Sequence, residues 1–377
     1  MNKNIILILV LIVIGGAIYY LQSIRTSEVI QPGNADIPIE QTVETSNTDT
    51  GAPVAPTVLQ QEEITRIEGK SKKYQRAKEL VSPDGYINVD SITVAENIGK
   101  KVIMIDFWTY SCINCQRTLP YLNTWYSKYE DEGLLIIGVH APEFDFEKEY
   151  DNVKIAVEKF DIPYPVVLDN EHQTWKAYKN RYWPRKYLID IDGFIVYDHI
   201  GEGSYSETEK KIQELLDERK EVLHLNTMVD KSIFTANVTQ VSSGKTPEIY
   251  FGYAYTRDQL GNSEGWQPEE TVHYKISSPL KADQFYLEGG WKNNPDNMEL
   301  VSSSGKIVLN YSGKDVHIVA GSSGTGLISV KIDGKPTQTV PVSTFQLYNL
   351  AHSDIFGTHI LELDITTGVM AYTFTFG

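Results

Sequence analysis

Apolar and polar positions divide the chain into four regimes. Residues 4–24, between Lys3 and Arg25, are uncharged and mostly Ile, Leu and Val. As a helix they span about 31 Å, against a membrane hydrocarbon core of about 30 Å. From 25 to 75 the chain turns to Thr, Ser, Glu, Gln, Asn and Pro with no sustained apolar period, the pattern of a flexible tether with a reach of roughly 40 Å. From 76 to 222 the pattern alternates between strand and helix, which predicts an α/β domain. Its expected strands are 101–107, 134–140, 165–168, 186–191 and 194–200, the last two forming a hairpin turned at Asp192-Gly193. Its expected helices are 113–131 with Pro120 inside, 146–160, and 204–216 with Ser204 as N-cap. From 223 to 377 short β-rich runs (306–311, 316–320, 327–332, 371–376) are separated by Ser312-Gly313, Ser323-Gly324 and Asp333-Gly334, with no long amphipathic helix between them. That predicts a C-terminal all-β sandwich of jelly-roll type.

Composition sharpens the compartment more than the fold. A net charge of −16 leaves no basic footprint for nucleic acid or an anionic membrane surface. The cluster Lys70, Lys72, Lys73, Arg76 and Lys78 is read as a solvated helix face rather than a lipid contact. Residues 1–24 have two readings, a single uncleaved transmembrane anchor or a cleaved signal peptide, for which Gly15 and Ala17 offer a weak cleavage site. The apolar continuation Ile18, Tyr19, Tyr20 and Leu21 favours the anchor. Both readings export the rest of the chain.

The only two cysteines among 377 residues, Cys112 and Cys115, form a C-x-x-C. An exported chain with no other cysteine draws its stability from buried core, so the pair is available for redox chemistry. The run 103–108 is apolar and β-prone apart from Asp106, and after the cysteines Leu119, Leu122, Tyr126 and Tyr129 share one helical face. A strand thus delivers Cys112 to a helix N-terminus, where free N–H groups and the helix dipole favour the thiolate. Cys112 is expected to attack a disulfide and Cys115, one turn inside, to resolve it.

Asp106-Phe107-Trp108 followed by Cys112-x-x-Cys115, Pro120, and Trp183-Pro184 before the strand 186–191 resemble the thioredoxin fold. More narrowly, residues 107–121 (FWTYSCINCQRTLPY), 138–144 (GVHAPEF), 182–190 (YWPRKYLID) and Gly201-Glu202-Gly203 are similar to the thioredoxin-like module of DipZ-type proteins. Residues 315–319 and 371–377 resemble the carbohydrate-binding-like sandwich that follows the module in that family. Full DipZ proteins begin with a multi-span electron-delivering domain of the CcdA type, whereas this chain offers one span. The resemblance implies a separate CcdA-type membrane donor, disulfide-containing exported proteins as substrates, and a wall or glycan ligand for the sandwich.

It also assigns roles. Asp106, beneath the cysteines, accepts the proton of Cys115, against a structural reading as a strand-end hydrogen bonder. Pro184 is the cis proline that presents the backbone of Trp183 to substrate, and Trp108 and Trp183 form the substrate surface. Trp266, Trp291 and Tyr286 are the aromatics able to stack on sugar, with burial in the sandwich core as the competing reading. His140 and Glu143 fall at a strand end near the site and are read as satisfied loop residues. No metal or cofactor is called for, since no histidine pair or second cysteine pair supplies zinc spacing. Ile113-Asn114 puts no cation between the cysteines, so reduction is favoured over oxidation. The alternatives are a disulfide oxidase or isomerase, a thiol peroxidase-like redoxin suggested by Thr109-x-x-Cys112, and a non-catalytic wall-binding protein.

Overall fold

The computed structural model describes residues 58–236, 246–255 and 257–377. The apolar segment 4–24 therefore lies outside the described residues, and among those described no helix is long and apolar enough to cross a membrane. The first module runs α1 (Val58–Ser71), β1 (Gln75–Arg76), β2 (Gly85–Ile87), β3 (Val102–Trp108), α2 (Ile113–Tyr129), β4 (Leu134–His140), α3 (Tyr150–Lys159), β5 (Val166–Leu168), α4 (Gln173–Ala177), β6 (Arg185–Ile189), β7 (Phe194–Ile200) and α5 (Tyr205–Val222). The sheet order is β1-β7-β6-β3-β4-β5-β2, with β3 parallel to β4 and antiparallel to β6. This is the expected thioredoxin-like fold. All seven residues of β3 are buried, as a central strand covered on both faces requires. Helix α2 turns Cys115, Leu119, Leu122, Trp125 and Tyr129 onto it.

Four local expectations change. The stretch expected as tether carries helix α1 at its C-terminal end, which docks through charge rather than apolar area: Arg66 makes two 2.8 Å bonds to Asp192, and Lys70 Nζ lies 2.7 Å from both Asp190 and Asp192. The helix expected over 146–160 is split into a short 3-10 turn, Asp145–Lys148, and α3, because Glu149 is extended (ψ 117°). Ser204 precedes α5 but makes no side-chain cap. Helix α4 was not anticipated; Asp169 starts it by accepting the N–H groups of Thr174 and Trp175 at 3.0 and 2.8 Å.

The C-terminal module is all β: β8 (Ile249–Tyr250), β9 (Thr271–Tyr274), β10 (Phe285–Asn293), β11 (Met298–Leu300), β12 (Ser304–Ser322), β13 (Gly326–Ile332), β14 (Lys335–Val342), β15 (Gln346–Thr366) and β16 (Val369–Phe376). Asp333-Gly334 is a hairpin turn with φ of 52° and 73°, as its residue types predict. Ser312-Gly313 is not a turn. It lies inside the 19-residue β12, which absorbs the irregularity as a bulge between Gly313 and Asp315. Beyond that bulge β12 leaves β10 and pairs with β16, closing a hydrogen-bonded ring β10-β11-β16-β12 around one apolar core. The two modules also share core. Tyr250, Val319 and Tyr372 belong to the same buried cluster as Trp108, Cys115 and Leu119.

Candidate active site

Strand β3 ends at Trp108, and the chain turns through Thr109, Tyr110 and Ser111 before α2 begins. Cys112 is the N-cap of α2; its backbone is extended (φ −75°, ψ 117°) and its Sγ accepts the N–H of Cys115 at 3.3 Å. Free N–H groups of a first helical turn thus face the sulfur, the environment that stabilises a thiolate. Cys112 is partly exposed, whereas Cys115 is buried, and both are free thiols. Burial pushes the Cys115 thiol well above its ordinary value, and the hydrogen bond and charge of Cys112 push it the same way. One sulfur is accessible and the other needs a proton acceptor.

Asp106 lies in β3, 1 % exposed. Loss of solvent pushes its carboxyl up to about 7, with the nearby Lys186 ammonium pulling the other way. Among the described residues Asp106 Oδ1 has no hydrogen-bond partner. Lys186 is opposite Asp106 in the β3–β6 register, fully buried, with Nζ 3.4 Å from the Gly201 carbonyl. Burial lowers its pKa, and the charges of Asp106, Cys115 and Glu202 oppose that. Tyr164 completes the chamber: its hydroxyl is buried without a hydrogen-bond partner among the described residues, and Asp106 and Cys115 both raise its pKa beyond what burial does. Gly138, opposite Asp106 on β4, makes the room, since a Cβ there would stand 3.0 Å from Trp108 Nε1 and 3.2 Å from Tyr164 Cε2. Beside Arg185 and ahead of the apolar run Tyr187-Leu188-Ile189, Lys186 carries no local sign of burial.

The peptide Trp183-Pro184 is cis. Trp183 is half-buried, donates Nε1–H to the Ala141 carbonyl at 2.9 Å, and packs on Trp175 with ring centroids 4.3 Å apart. Trp175, on the unanticipated α4, and His172 extend this aromatic group. Trp108 does not join a substrate surface. It is 1 % exposed, in the core, edge-on to His140 at 5.3 Å. His140 is itself buried, its pKa pushed down to about 3 by desolvation, and its Nε2 lies 3.3 Å from Thr109 Oγ1.

In the C-terminal module the core reading holds for the aromatics named as sugar-stacking residues. Trp291 and Tyr286 are 0 % and 2 % exposed, so neither ring can stack on a sugar, and Trp266 is partly buried against the same core. Asp190, Asp192 and Glu218 are close enough together to hold a cation, but Lys70 Nζ occupies that position, 2.7, 2.7 and 2.5 Å from them.

Residues 75–198 match the AhpC/TSA family, and residues 246–377 match the family described as a thioredoxin-like C-terminal domain. Protein DipZ of Mycobacterium bovis is 38% identical over 278 residues, 74% of this chain and 39% of DipZ itself. Over that stretch the chain is similar to DipZ. It spans about two fifths of the length of the DipZ proteins it matches, 39% in each case. Thiol-disulfide oxidoreductase YkuV of Bacillus subtilis is 29% identical over 147 residues, 39% of this chain and 98% of YkuV. A solved thioredoxin-like protein in its oxidized form is 28% identical, covers 38% of this chain and 97% of its own, and has a TM-score of 0.36.

Proposed function

We propose that the chain is a membrane-anchored, extracytoplasmic protein-disulfide reductase that works through Cys112 and Cys115. The observation that carries the reading is the asymmetry of the two sulfurs: one partly exposed at a helix N-cap and hydrogen-bonded there, the other buried above an aspartate whose carboxyl is pushed up to about 7.

The Cys112 thiolate attacks a substrate disulfide; a new S–S bond forms to Cys112 and the other substrate sulfur leaves as a thiolate. Cys115 then gives its proton to the Asp106 carboxylate and attacks Cys112 Sγ, expelling the second substrate thiolate and leaving a Cys112–Cys115 disulfide. Two electrons have passed to the substrate, and a thiol donor restores the pair. A CcdA-type membrane protein is the proposed donor, and disulfide-bearing exported proteins are the proposed substrates. Trp183, beside the cis peptide to Pro184, offers the surface for an extended substrate strand. Membrane attachment is assigned to residues 1–24, on the apolar pattern there.

Insulin reduction by the purified chain tests the reading, together with equilibration against glutathione buffers. Activity with a potential more negative than about −200 mV is expected, because no cation lies between the cysteines to stabilise the thiolate as a strong oxidant requires. A potential above about −150 mV overturns the reductase and promotes the oxidase. A peroxidase has the AhpC/TSA match and Thr109-x-x-Cys112 in its favour. Consumption of hydrogen peroxide at a rate exceeding insulin reduction would establish that reading instead.

A further inference from the structure

Glu147 stands beside the reacting pair, and the mechanism above leaves it unused. Its carboxylate is fully buried, a costly placement unless its lone pairs are filled. They are filled from two directions. Oε1 accepts from Ser111, the residue before Cys112, through the hydroxyl at 2.6 Å and the backbone N–H at 3.3 Å. Oε2 accepts the N–H groups of Glu143 and Phe144 at 2.7 and 3.1 Å. Burial raises its pKa, and these donors, joined by the Thr109 hydroxyl, lower it. One carboxylate therefore bridges the cysteine loop and the turn at 143–147, and neither can shift without stripping a buried charge.

That turn is gripped by the C-terminal module. Tyr250 donates its hydroxyl to Glu143 Oε1 at 2.6 Å, and Tyr255 donates to the Glu143 carbonyl at 2.8 Å. The Tyr372 ring packs on Phe144 and Phe146 with centroids 5.2 and 4.7 Å away, and Phe345 packs on Phe146 at 5.3 Å. A second, more direct contact reaches the loop itself, where Tyr110 donates to the Phe345 carbonyl at 3.3 Å.

We propose that Glu147 is a positioning residue through which the C-terminal module holds the Cys112 loop, so that its docking sets the reactivity of the attacking sulfur. A loosened loop loses the Cys115 N–H bond to Cys112 Sγ, and the thiolate loses stabilisation with it. The consequence for turnover rests on the reductase reading; the thiol measurements do not.

The test uses the reduced full chain and its Glu147→Gln, Ser111→Ala and Tyr372→Leu variants. Three readouts are taken: the rate of Cys112 alkylation by iodoacetamide at neutral pH, the equilibrium constant with glutathione, and the melting temperature. Glu147→Gln should slow alkylation and shift the glutathione equilibrium by about tenfold. Ser111→Ala and Tyr372→Leu should act in the same direction by several-fold, and Glu147→Gln with Tyr372→Leu should do no more than Glu147→Gln alone, since both act through one bridge. Should Glu147→Gln fail to fold, Ser111→Ala and Tyr372→Leu decide. The proposal is overturned if the variants lower the melting temperature but leave alkylation and the glutathione equilibrium unchanged, or if the double variant is additive. If the wild type reduces no insulin while these shifts appear, the reductase falls and the coupling stands.

Discussion

The two ends of the central sheet treat buried charge in opposite ways. Beyond the end of β6, next to the start of β3, Asp190 and Asp192 are matched by Lys70 and Arg66 at 2.7 to 2.8 Å, and Glu218 joins them. Toward the cysteines, Asp106 and Lys186 are matched less: among the described residues Asp106 Oδ1 has no hydrogen-bond partner, and Lys186 reaches a carbonyl at 3.4 Å. At the matched end Lys70 is raised and Asp192 lowered from their ordinary values, while burial raises Asp190 against the pull of Lys70. At the unmatched end burial moves both groups toward neutrality, Asp106 up and Lys186 down. A matched charge holds a fold, and a stranded one is free to take up and release a proton.

Exchange of the reacting atoms gives the sharpest break. Cys112→Ser should abolish insulin reduction, while Cys115→Ser should accumulate covalent mixed disulfides visible on non-reducing gels. Traps appearing with Cys112→Ser instead would reverse attacker and resolver.

The next largest effect belongs to the matched end. Lys70→Ala leaves Asp190, Asp192 and Glu218 facing one another and should cost about 3 kcal/mol of stability in urea unfolding. The thiol chemistry of the remaining folded molecules should be unaltered. A comparable loss of reductase activity would dissolve the distinction between the two ends.

At the stranded end the effects are smaller and depend on pH. Asp106→Asn should slow turnover several-fold at neutral pH by removing the acceptor for the Cys115 proton. Ordinary Asp ionises near 3.8 and buried Asp106 near 7, so between those values the unfolded chain binds fewer protons, and wild-type stability falls as pH rises. The stability difference between Asp106→Asn and wild type should therefore shift in favour of the variant between about pH 4 and 7, then level off. A difference flat with pH would make Asp106 a fixed structural group. Because Lys186 pulls the Asp106 pKa down, Lys186→Met should displace the turnover profile to higher pH, with activity partly recovered in alkaline buffer.

What could be foreseen follows the range of the signal. Strand β3, helix α2 and the C-x-x-C between them announce themselves through local period and a rare residue type. Helix α1 does not, because it docks by Arg66 and Lys70 onto partners more than a hundred residues away, and its polar face reads as solvated. Lys186 reads as an ordinary strand lysine until the register sets it opposite Asp106. Glu147 falls inside the helix expected over 146–160, because the two donors that tie it to the cysteine loop come from Ser111, 36 residues away. Tyr250 and Tyr372 fall in the stretch whose pattern predicts a β-sandwich, and only the packed structure gives them to the redox module's core.

The docking of α1 has a mechanical consequence. Any tension carried along the chain from its N-terminal side reaches α1 first, and the ion pairs of Arg66 and Lys70 pass it to the β6–β7 hairpin at Asp190 and Asp192. The two-residue pairing of β1 with β7 follows immediately, so the load is spread over one corner of the sheet. That corner lies at the start of β3, and the cysteine loop leaves from its other end. Pulling from the N-terminal side of α1 thus strains the clamp before it strains the redox pair, and the chain has strain relief where α1 joins the fold.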